Sequence, residues 1–401
     1  MKSGANPSNG MGAKYNRNHE KRRLKFRDRK NMEQPLVRHI RTLEEFEALR
    51  EDWNRLWERC GEETAFLTWE WLYAWWKHNA ENKELWLLTV WREDKLVGAA
   101  PLALVKARRH GMRFRLLQSL GTPNADHSDF MAAEGETEAA AALCGYILSQ
   151  KRKWDAVELN EHRDENPRTH EILRLLSESG LILNVKENLH HHIPIGGGWE
   201  DYVKTLSRNT RRDMDKRIRH VAEKREVELK RFCGAEVKWK HFETFFEVNK
   251  NGAYPEKYES QNERAFHREL LDLTRDKNWI EIFLLYLDGK PAAYEYGFNL
   301  GGRFEDWRTG YDKNYAEDSA GKVLLILLLK DFFEKGYRDF DFLRGEYEHK
   351  ERWKPSSRKF LNITVVKPLH LPARLALIVF PNIWHWLKAN VLQKQGSRQI
   401  S

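Results

Sequence analysis

Apolar and polar positions change their period several times along this chain, and each change marks an element. From Leu43 to Cys60 the apolar residues recur at helical spacing. They do so again from Trp69 to Asn79, where Thr68 is placed to cap the helix. The stretch ELWLLTVWREDKLVGAAPLAL then reads as two strands joined by a tight turn at Glu93-Asp94. EAAAALCGYILSQKRKWDAVELNE, from Glu138 to Glu161, passes from a helical pattern into a strand pattern.

The order then recurs. WEDYVKTLSRNTRRDMDKRIRHVAEKREV places Leu206, Met214, Ile218 and Val221 on one helical face. WIEIFLLYLDGKPAAYEYGFNL is a second hairpin, with its turn at Asp288-Gly289, and AGKVLLILLLKDFFEKGYRDFDFL, Ala320 to Leu343, is a second helix followed by a strand. Each hairpin carries a small-residue pair after its turn, Ala99-Ala100 and Ala292-Ala293. The halves share an order of elements rather than an alignable sequence. Antiparallel meanders that lead into helix–strand pairs predict an α+β protein of mixed-sheet layers.

At 401 residues the chain has room for two ordinary domains, and a 41% apolar fraction with 16 Trp predicts packed cores. The formal charge of +9 is not spread evenly. Residues 1–36 hold ten Lys/Arg against three Asp/Glu, which leaves the remainder nearly neutral. That polar, Gly- and Asn-rich stretch is expected to be a disordered arm that touches RNA or a membrane surface through charge alone. No apolar segment follows Arg22-Arg23, so a secretory leader is not expected. The longest apolar run, VLLILLL from Val323 to Leu329, falls far short of the ~20 residues that span a bilayer. The tail around Trp384 and Trp386 is expected to pack back on its own domain, with a membrane-surface helix as the alternative. Three widely spaced cysteines, Cys60, Cys144 and Cys233, fit a reduced, cytoplasmic protein.

One stretch raises a chemical question. In GYRDFDFLRGEYEHKERWKP, Gly336 to Pro355, a strand pattern runs straight into Arg344, Glu346, Glu348, His349 and Lys350. These residues form either a solvated loop or the mouth of a site at a strand end. DFLRG, ending at His349-Lys350, resembles the DFLxGxxxYK segment of the CelD-like GNAT acyltransferases associated with cellulose and exopolysaccharide synthesis, relatives of the Fem-type transferases. WRTGYDKNYAEDSAG (Trp307 to Gly321), LSRNTRRDMDKRIRHV, FLTWEWLYAWWKH and LGTPNADHSDFM are similar to other signatures of that group. Ala320 stands where Pro is usual and His349 where an aromatic is usual. The resemblance covers about Val37 to Pro368. It implies two tandem GNAT-like domains, each a mixed twisted sheet flanked by helices, at 37–188 and 189–368, followed by a helical tail at 369–401. It also implies a cytoplasmic N-acyltransferase that moves an acyl group from acyl-CoA (acetyl-CoA) to an amine of a sugar, amino acid or envelope-polymer precursor, with no metal.

The residues themselves bear on that chemistry. A diphosphate carrier needs clustered N–H donors, and Ser319, Ala320, Gly321 and Lys322 open an apolar helix whose first amides are unpaired. An ordinary N-cap is the plain alternative. Strand alternation in RFEDWRTGYD would set Glu305, Trp307 and Thr309 on one face and Asp306, Arg308 and Gly310 on the other. Charges on both faces either pair across the sheet or line a cleft. Asp306 is the first candidate base, with Glu295 and Asp341 as competitors. Arg211, Trp307, Arg344, His349 and Lys350 are candidate substrate contacts, with a solvated helix face, a core aromatic and a solvated loop as plainer readings. Because Glu136-Thr137-Glu138 opens the first half's helix and repels phosphates, the donor is expected in the second half. Asp126, His127 and Asp129 either line an acceptor cleft or cap turns. Consecutive His190, His191 and His192 on a strand point to alternate faces and cannot converge on one ion.

Two other functions remain open. An aminoacyl-tRNA-dependent Fem-type transferase would need a basic groove or a coiled-coil insertion, which the nearly neutral body does not offer. A non-catalytic scaffold of polysaccharide biosynthesis would bind no CoA.

Overall fold

The protein is described by a computed structural model over residues 35–253, 255–345 and 348–383. The basic arm, Trp384 and Trp386 lie outside these residues, as do Glu346 and the side chain of His349.

The first half begins with β1 (Leu36–Ile40), α1 (Leu43–Ala48), α2 (Arg50–Arg59) and α3 (Trp69–Asn79). The single helix expected over 43–60 is therefore two, which meet at Leu49. The Thr68 hydroxyl accepts from the Trp71 amide and caps α3. Six strands come next: β2 (Lys83–Leu85), β3 (Leu87–Arg92), β4 (Lys95–Ala100), β5 (Leu102–Arg109), β6 (Met112–Ser119) and β7 (Met131–Ala132). The half ends with α4 (Ala139–Ser149), β8 (Ala156–Arg163), α5 (Pro167–Ser177) and β9 (Ile182–Pro194).

The second half runs through α6 (Trp199–Thr205), α7 (Arg208–Lys224), β10 (Val227–Cys233), α8 (Trp239–Lys250), α9 (Pro255–Glu259) and α10 (Gln261–Leu273). Then come β11 (Ile280–Leu287), β12 (Lys290–Leu300), β13 (Arg303–Tyr311), α11 (Ala320–Lys335) and β14 (Asp339–Arg344). The described chain closes with α12 (Glu348–Glu351), β15 (Ser356–Val366) and α13 (Leu371–Arg374), which widens into a π turn at Leu375–Val379. Both expected hairpin turns are present. Asp288 and Gly289 take φ of 52° and 73°, as a two-residue hairpin loop requires.

The strands form two sheets of an α+β fold. A four-stranded sheet has the order β1-β3-β4-β7, and the other has eleven strands in the order β10-β11-β12-β13-β14-β9-β15-β8-β6-β5-β2. Strand β9 lies between β14 and β15, and β15 pairs on its far side with β8. Each half thus completes its sheet with a strand from the other. The expected division at 188/189 cuts through the middle of β9, where residues 182–192 pair with 356–366 along the whole length of β15. The halves also share a core. Phe66 and Trp71 of the first half pack edge-on against Phe266, Phe298 and Trp307 of the second. Trp69, Trp71, Trp75 and Trp76 are all buried core residues. Among the described residues, no helix is long and apolar enough to cross a membrane.

One irregularity re-aims the side chains of the central strands. Strand β13 carries a bulge, since Tyr296 pairs with Arg308 and Gly297 with Asp306, leaving Trp307 unpaired. The expected alternation of β13 is thereby broken. Asp306 now shares a face with Thr309 and with Glu295 of β12, while Arg308 joins Glu305 on the other. Gly297 is required opposite the bulge, because a Cβ there would lie 2.0 Å from the Glu305 carbonyl oxygen. Gly297→Ala is expected to destabilise the protein by about 1–3 kcal/mol through backbone displacement. A fall in thermal midpoint is the readout, and an unchanged midpoint would show that the strand absorbs the methyl group.

Candidate active site

Strands β13 and β14 run parallel only from Arg303↔Asp339 to Glu305↔Asp341. Beyond those residues no ladder pair joins them, and they splay apart. A gap of this kind leaves the facing main-chain groups of both strands without strand partners. Lys350, folded back from α12, enters on the β14 side. Its ammonium is buried and donates to the carbonyls of Phe342 and Arg344, each at 3.0 Å. Burial lowers its pKa, against the opposing pull of Asp306, Asp126 and Asp341.

Asp306 and Glu295 form the chemical centre on β12 and β13. Glu295 is buried and Asp306 half-buried. Burial pushes the Glu295 carboxyl well above the carboxylate range, and the neighbouring Asp306 charge adds to it. Glu295 therefore stays protonated and hydrogen-bonds to Asp306. The Asp306 carboxyl is raised by burial to about 6, even though the hydrogen bond from Glu295 and the charge of Lys350 favour ionisation. One acid kept neutral beside another poised near neutrality is the arrangement a general base requires.

The start of α11 lies at the end of β13, and the Tyr311 ring borders Gly321. Ser319 has φ of 57° and supplies no side-chain cap. The Ser319 carbonyl accepts from the Lys322 and Val323 amides. Arg217 of α7 donates to the Ser319 hydroxyl. Arg217 also pairs with Asp213 at 2.9 Å, as does Arg352 at 2.8 Å. With Lys322, three cations face one carboxylate around a pocket of about 80 Å³. The positive dipole end of α11 adds to the cationic field. Burial and the charges of Arg217 and Arg352 lower the Lys322 pKa.

The first half has the same plan with the site filled. Strands β6 and β8 are parallel from Leu116↔Ala156 to Gln118↔Glu158. Past that point the loop 120–130 enters, and the Ser128 amide donates to the Glu161 carbonyl at 3.1 Å. Glu136 and Glu138, at the start of α4, bind Arg92 at 3.0 and 3.8 Å.

Other expected site residues have different settings. Asp341 stands among cations and not beside another acid. Its carboxylate accepts from Arg303, from Arg358 at 2.9 Å and from the Leu343 amide at 2.8 Å. Burial opposes ionisation, yet these partners and His190 outweigh it and hold the carboxyl down at about 2. Trp307 is no substrate platform either. It is 4% exposed within the shared aromatic core, and its indole donates to the Asn124 carbonyl at 3.1 Å. Arg344 ties β14 to the first half, binding Asp126 at 2.5 Å and the Pro123 carbonyl. Arg211 lies in the first turn of α7 with its Nε buried and unpartnered.

Sequence reasoning missed Arg217 and Arg352. Both sit in charge runs, and nothing in their spacing marks them as converging on α11. Asp126 belongs to the junction of the halves through Arg344. His190, His191 and His192 take separate partners, Glu161, Ser357 and Asp339. Glu62, His127 and Asp129 form a buried trio with ligand atoms within 4.8 Å of one another. Arg168 at 2.8 Å and Arg163 at 3.6 Å from Glu62 already balance its two carboxylates, so a dication would meet two positive neighbours.

With this geometry in place, similarity adds a family pattern. Residues 208–351 match the model of the GNAT acetyltransferase domain. The match falls within the second half. The matched segment runs from the first residue of α7 to the last of α12 and so contains the carboxyl pair, the splay and all of the cation pocket but Arg352 and Trp353. Among solved structures, FemX is similar at a TM-score of 0.52 and 12% identity, covering 81% of this chain and 96% of its own. The C-terminal domain (DUF2156) of an Agrobacterium fabrum protein named as a putative lysylphosphatidylglycerol synthetase reaches 0.52 at 9% identity, covering 82% and 95%. At these identities the likeness is one of fold. No curated protein matches the chain in sequence. The GNAT domain's pattern and the two sheet gaps together describe a tandem arrangement in which only the second gap stands beside a cationic helix start.

Proposed function

We propose that the chain is an N-acyltransferase that moves an acyl group from acyl-CoA to an amine. The observation that carries this reading is the splay of β13 from β14, set between a carboxyl pair and a cationic helix start. The donor's diphosphate would rest on the first amides of α11 with Arg217, Lys322 and Arg352. Its thioester arm would run into the gap, where unpaired β13 amides polarise the carbonyl as charge develops. Asp306 takes the proton from the attacking amine, and Glu295 holds Asp306 in place. The amine nitrogen forms its bond to the acyl carbon as the carbon–sulfur bond breaks, and the CoA thiolate takes up the proton that Asp306 accepted and leaves as the thiol. An amine on a sugar, amino acid or envelope-polymer precursor, in a cellulose or exopolysaccharide setting, is the acceptor that the CelD-like motifs suggest.

The FemX-like fold keeps a Fem-type aminoacyl-tRNA donor as the second reading. Against it, the longest described helix is the 17-residue α7, short for the coiled-coil insertion such a transferase would carry.

The test is thermal denaturation with acetyl-CoA, longer acyl-CoAs and free CoA. Stabilisation of about 2.7 kcal/mol is expected at a hundredfold excess over Kd. Gly321→Glu, which sets a carboxylate on the helix start, should abolish it. No shift with any CoA species at millimolar concentration would sink the acyl-CoA reading.

A further inference from the structure

Arg308 is a charge that the acyl-transfer chemistry above does not use. The bulge at Trp307 sets it directly opposite Tyr296, on the face of the sheet that α8 and α10 cover. Tyr296 packs there against Phe242 and Phe245 of α8 and His267 of α10. Two nitrogens of the Arg308 guanidinium, Nε and Nη2, are buried with no hydrogen-bond partner among the described residues. The third, Nη1, donates to the Trp307 carbonyl at 3.2 Å, and the guanidinium carbon stands 3.9 Å from the centre of the Trp307 ring. Donors of a cation left buried and unbonded are destabilising until another group accepts from them.

The surroundings define the group that fits. Nε–H and Nη2–H lie side by side on the planar guanidinium, the fork that a carboxylate accepts with both oxygens. The carboxylates of this region are already committed, Asp126 to Arg344 at 2.5 Å and Glu263 to His267 at 3.4 Å. The other neighbours are phenols. Burial raises the pKa of Tyr258, Tyr294 and Tyr296, and the Arg308 charge pulls each of them back. The Tyr296 hydroxyl is buried without a partner and offers one more donor. One guanidinium among neutral phenols balances a single negative charge, which a carboxylate carries and a phosphate near neutrality exceeds.

We propose that Arg308, with the Tyr296 hydroxyl, holds a carboxylate of the acceptor, so that the amine acylated here belongs to an amino carboxylic acid. This inference rests on the acyl-transfer reading and narrows its acceptor. Arg308 stands two residues from Asp306 along β13 but on the other face of the sheet. Beyond Glu305 no ladder pair closes β13 onto β14. An acceptor anchored on the α8 side therefore reaches the gap that the donor enters from the α11 side. Because the two anchoring heads lie on opposite faces, amine and carboxylate must be several bonds apart, as in a side-chain or terminal amine.

The test compares 6-aminohexanoate and Nα-acetyl-lysine with their carboxamides, which keep the amine and lose the charge. With acetyl-CoA and thiol release as the readout, KM for the carboxylates should lie about 10–100-fold below that for the carboxamides, the factor for a hydrogen bond to a charged group. Arg308→Gln should erase this preference by raising KM for the carboxylates, with kcat moved far less. Arg308→Lys keeps the charge without the fork and should retain part of the preference, and it serves if the glutamine variant does not fold. Thermal denaturation with the amines alone reads the same site without a donor. Stabilisation by the carboxylates and not the carboxamides, lost in Arg308→Gln, would support the anion site even if no CoA species binds. Equal KM and equal stabilisation for the two sets overturn the proposal. So does a preference that survives Arg308→Gln, which would leave the Arg308 donors to buried water.

Discussion

Asp306→Asn is expected to lower the rate of acyl transfer by about 10²–10⁴-fold, the usual contribution of a positioned general base. The substitution keeps shape and hydrogen bonding but cannot accept the amine proton. Glu295→Gln should act differently. It keeps a donor toward Asp306 and, like the protonated Glu295, carries no charge, so the Asp306 carboxyl should stay at about 6 and the rate should fall less. The pH profile separates the two roles. A base must be ionised, and the folded pKa of Asp306 is raised, so activity should be high above pH 6 and drop as pH falls through about 6. In Glu295→Gln the acid limb should stay near pH 6, whereas Asp306→Asn should lose it. Release of CoA thiol in the presence of an amine acceptor is the measurement. An Asp306→Asn enzyme with full turnover and an unshifted limb would remove the carboxyl pair from the mechanism.

Asp341→Asn is expected to destabilise the fold by about 3–5 kcal/mol, because it removes the carboxylate nearest to buried Arg303 and leaves it Asp339 at 3.9 Å and Glu305 at 4.0 Å. The expected loss is large because the same carboxylate also holds Arg358 and the Leu343 amide at the seam where β14 meets β9. The folded pKa is depressed to about 2, so this stabilisation is complete above the ordinary aspartate value of 3.8 and is lost as pH falls from there toward 2. Urea unfolding from pH 7 down to pH 2 would show the wild-type midpoint falling in that window. The variant's midpoint should start lower and lack that component. Equal stabilities at pH 7 would mean that the Arg303 and Arg358 charges find other partners, and Asp341 would then regain a claim on the chemistry.

The two variants also distinguish residues that the sequence pattern groups together. Asp306 and Asp341 are both candidate bases there, because both lie in strand patterns and near the GNAT-like motifs. Their separation depends on what stands across from each. Asp341 meets two arginines, one of them from β15, which is adjacent only through the exchange of final strands. Asp306 meets another acid, because the bulge at Trp307 turns it to the Glu295 face. No period-2 pattern reveals a bulge, since one extra residue inverts every face beyond it.

Local features were legible in the amino-acid order. Helix and strand periods, the Asp288-Gly289 turn, the Thr68 cap and the small residues that open α11 are written within windows of a few turns, where backbone geometry and solvent contact decide the outcome. The acidic start of the first half's helix was legible too, and there Glu136 and Glu138 bind Arg92. Which charges meet was settled only on folding. Arg217 and Arg352 reach the α11 start from α7 and from just beyond α12, and β9 and β15 cross between the halves. A buried carboxyl becomes a base or a strut according to the charge placed across from it, and that neighbour can lie dozens of residues away along the chain.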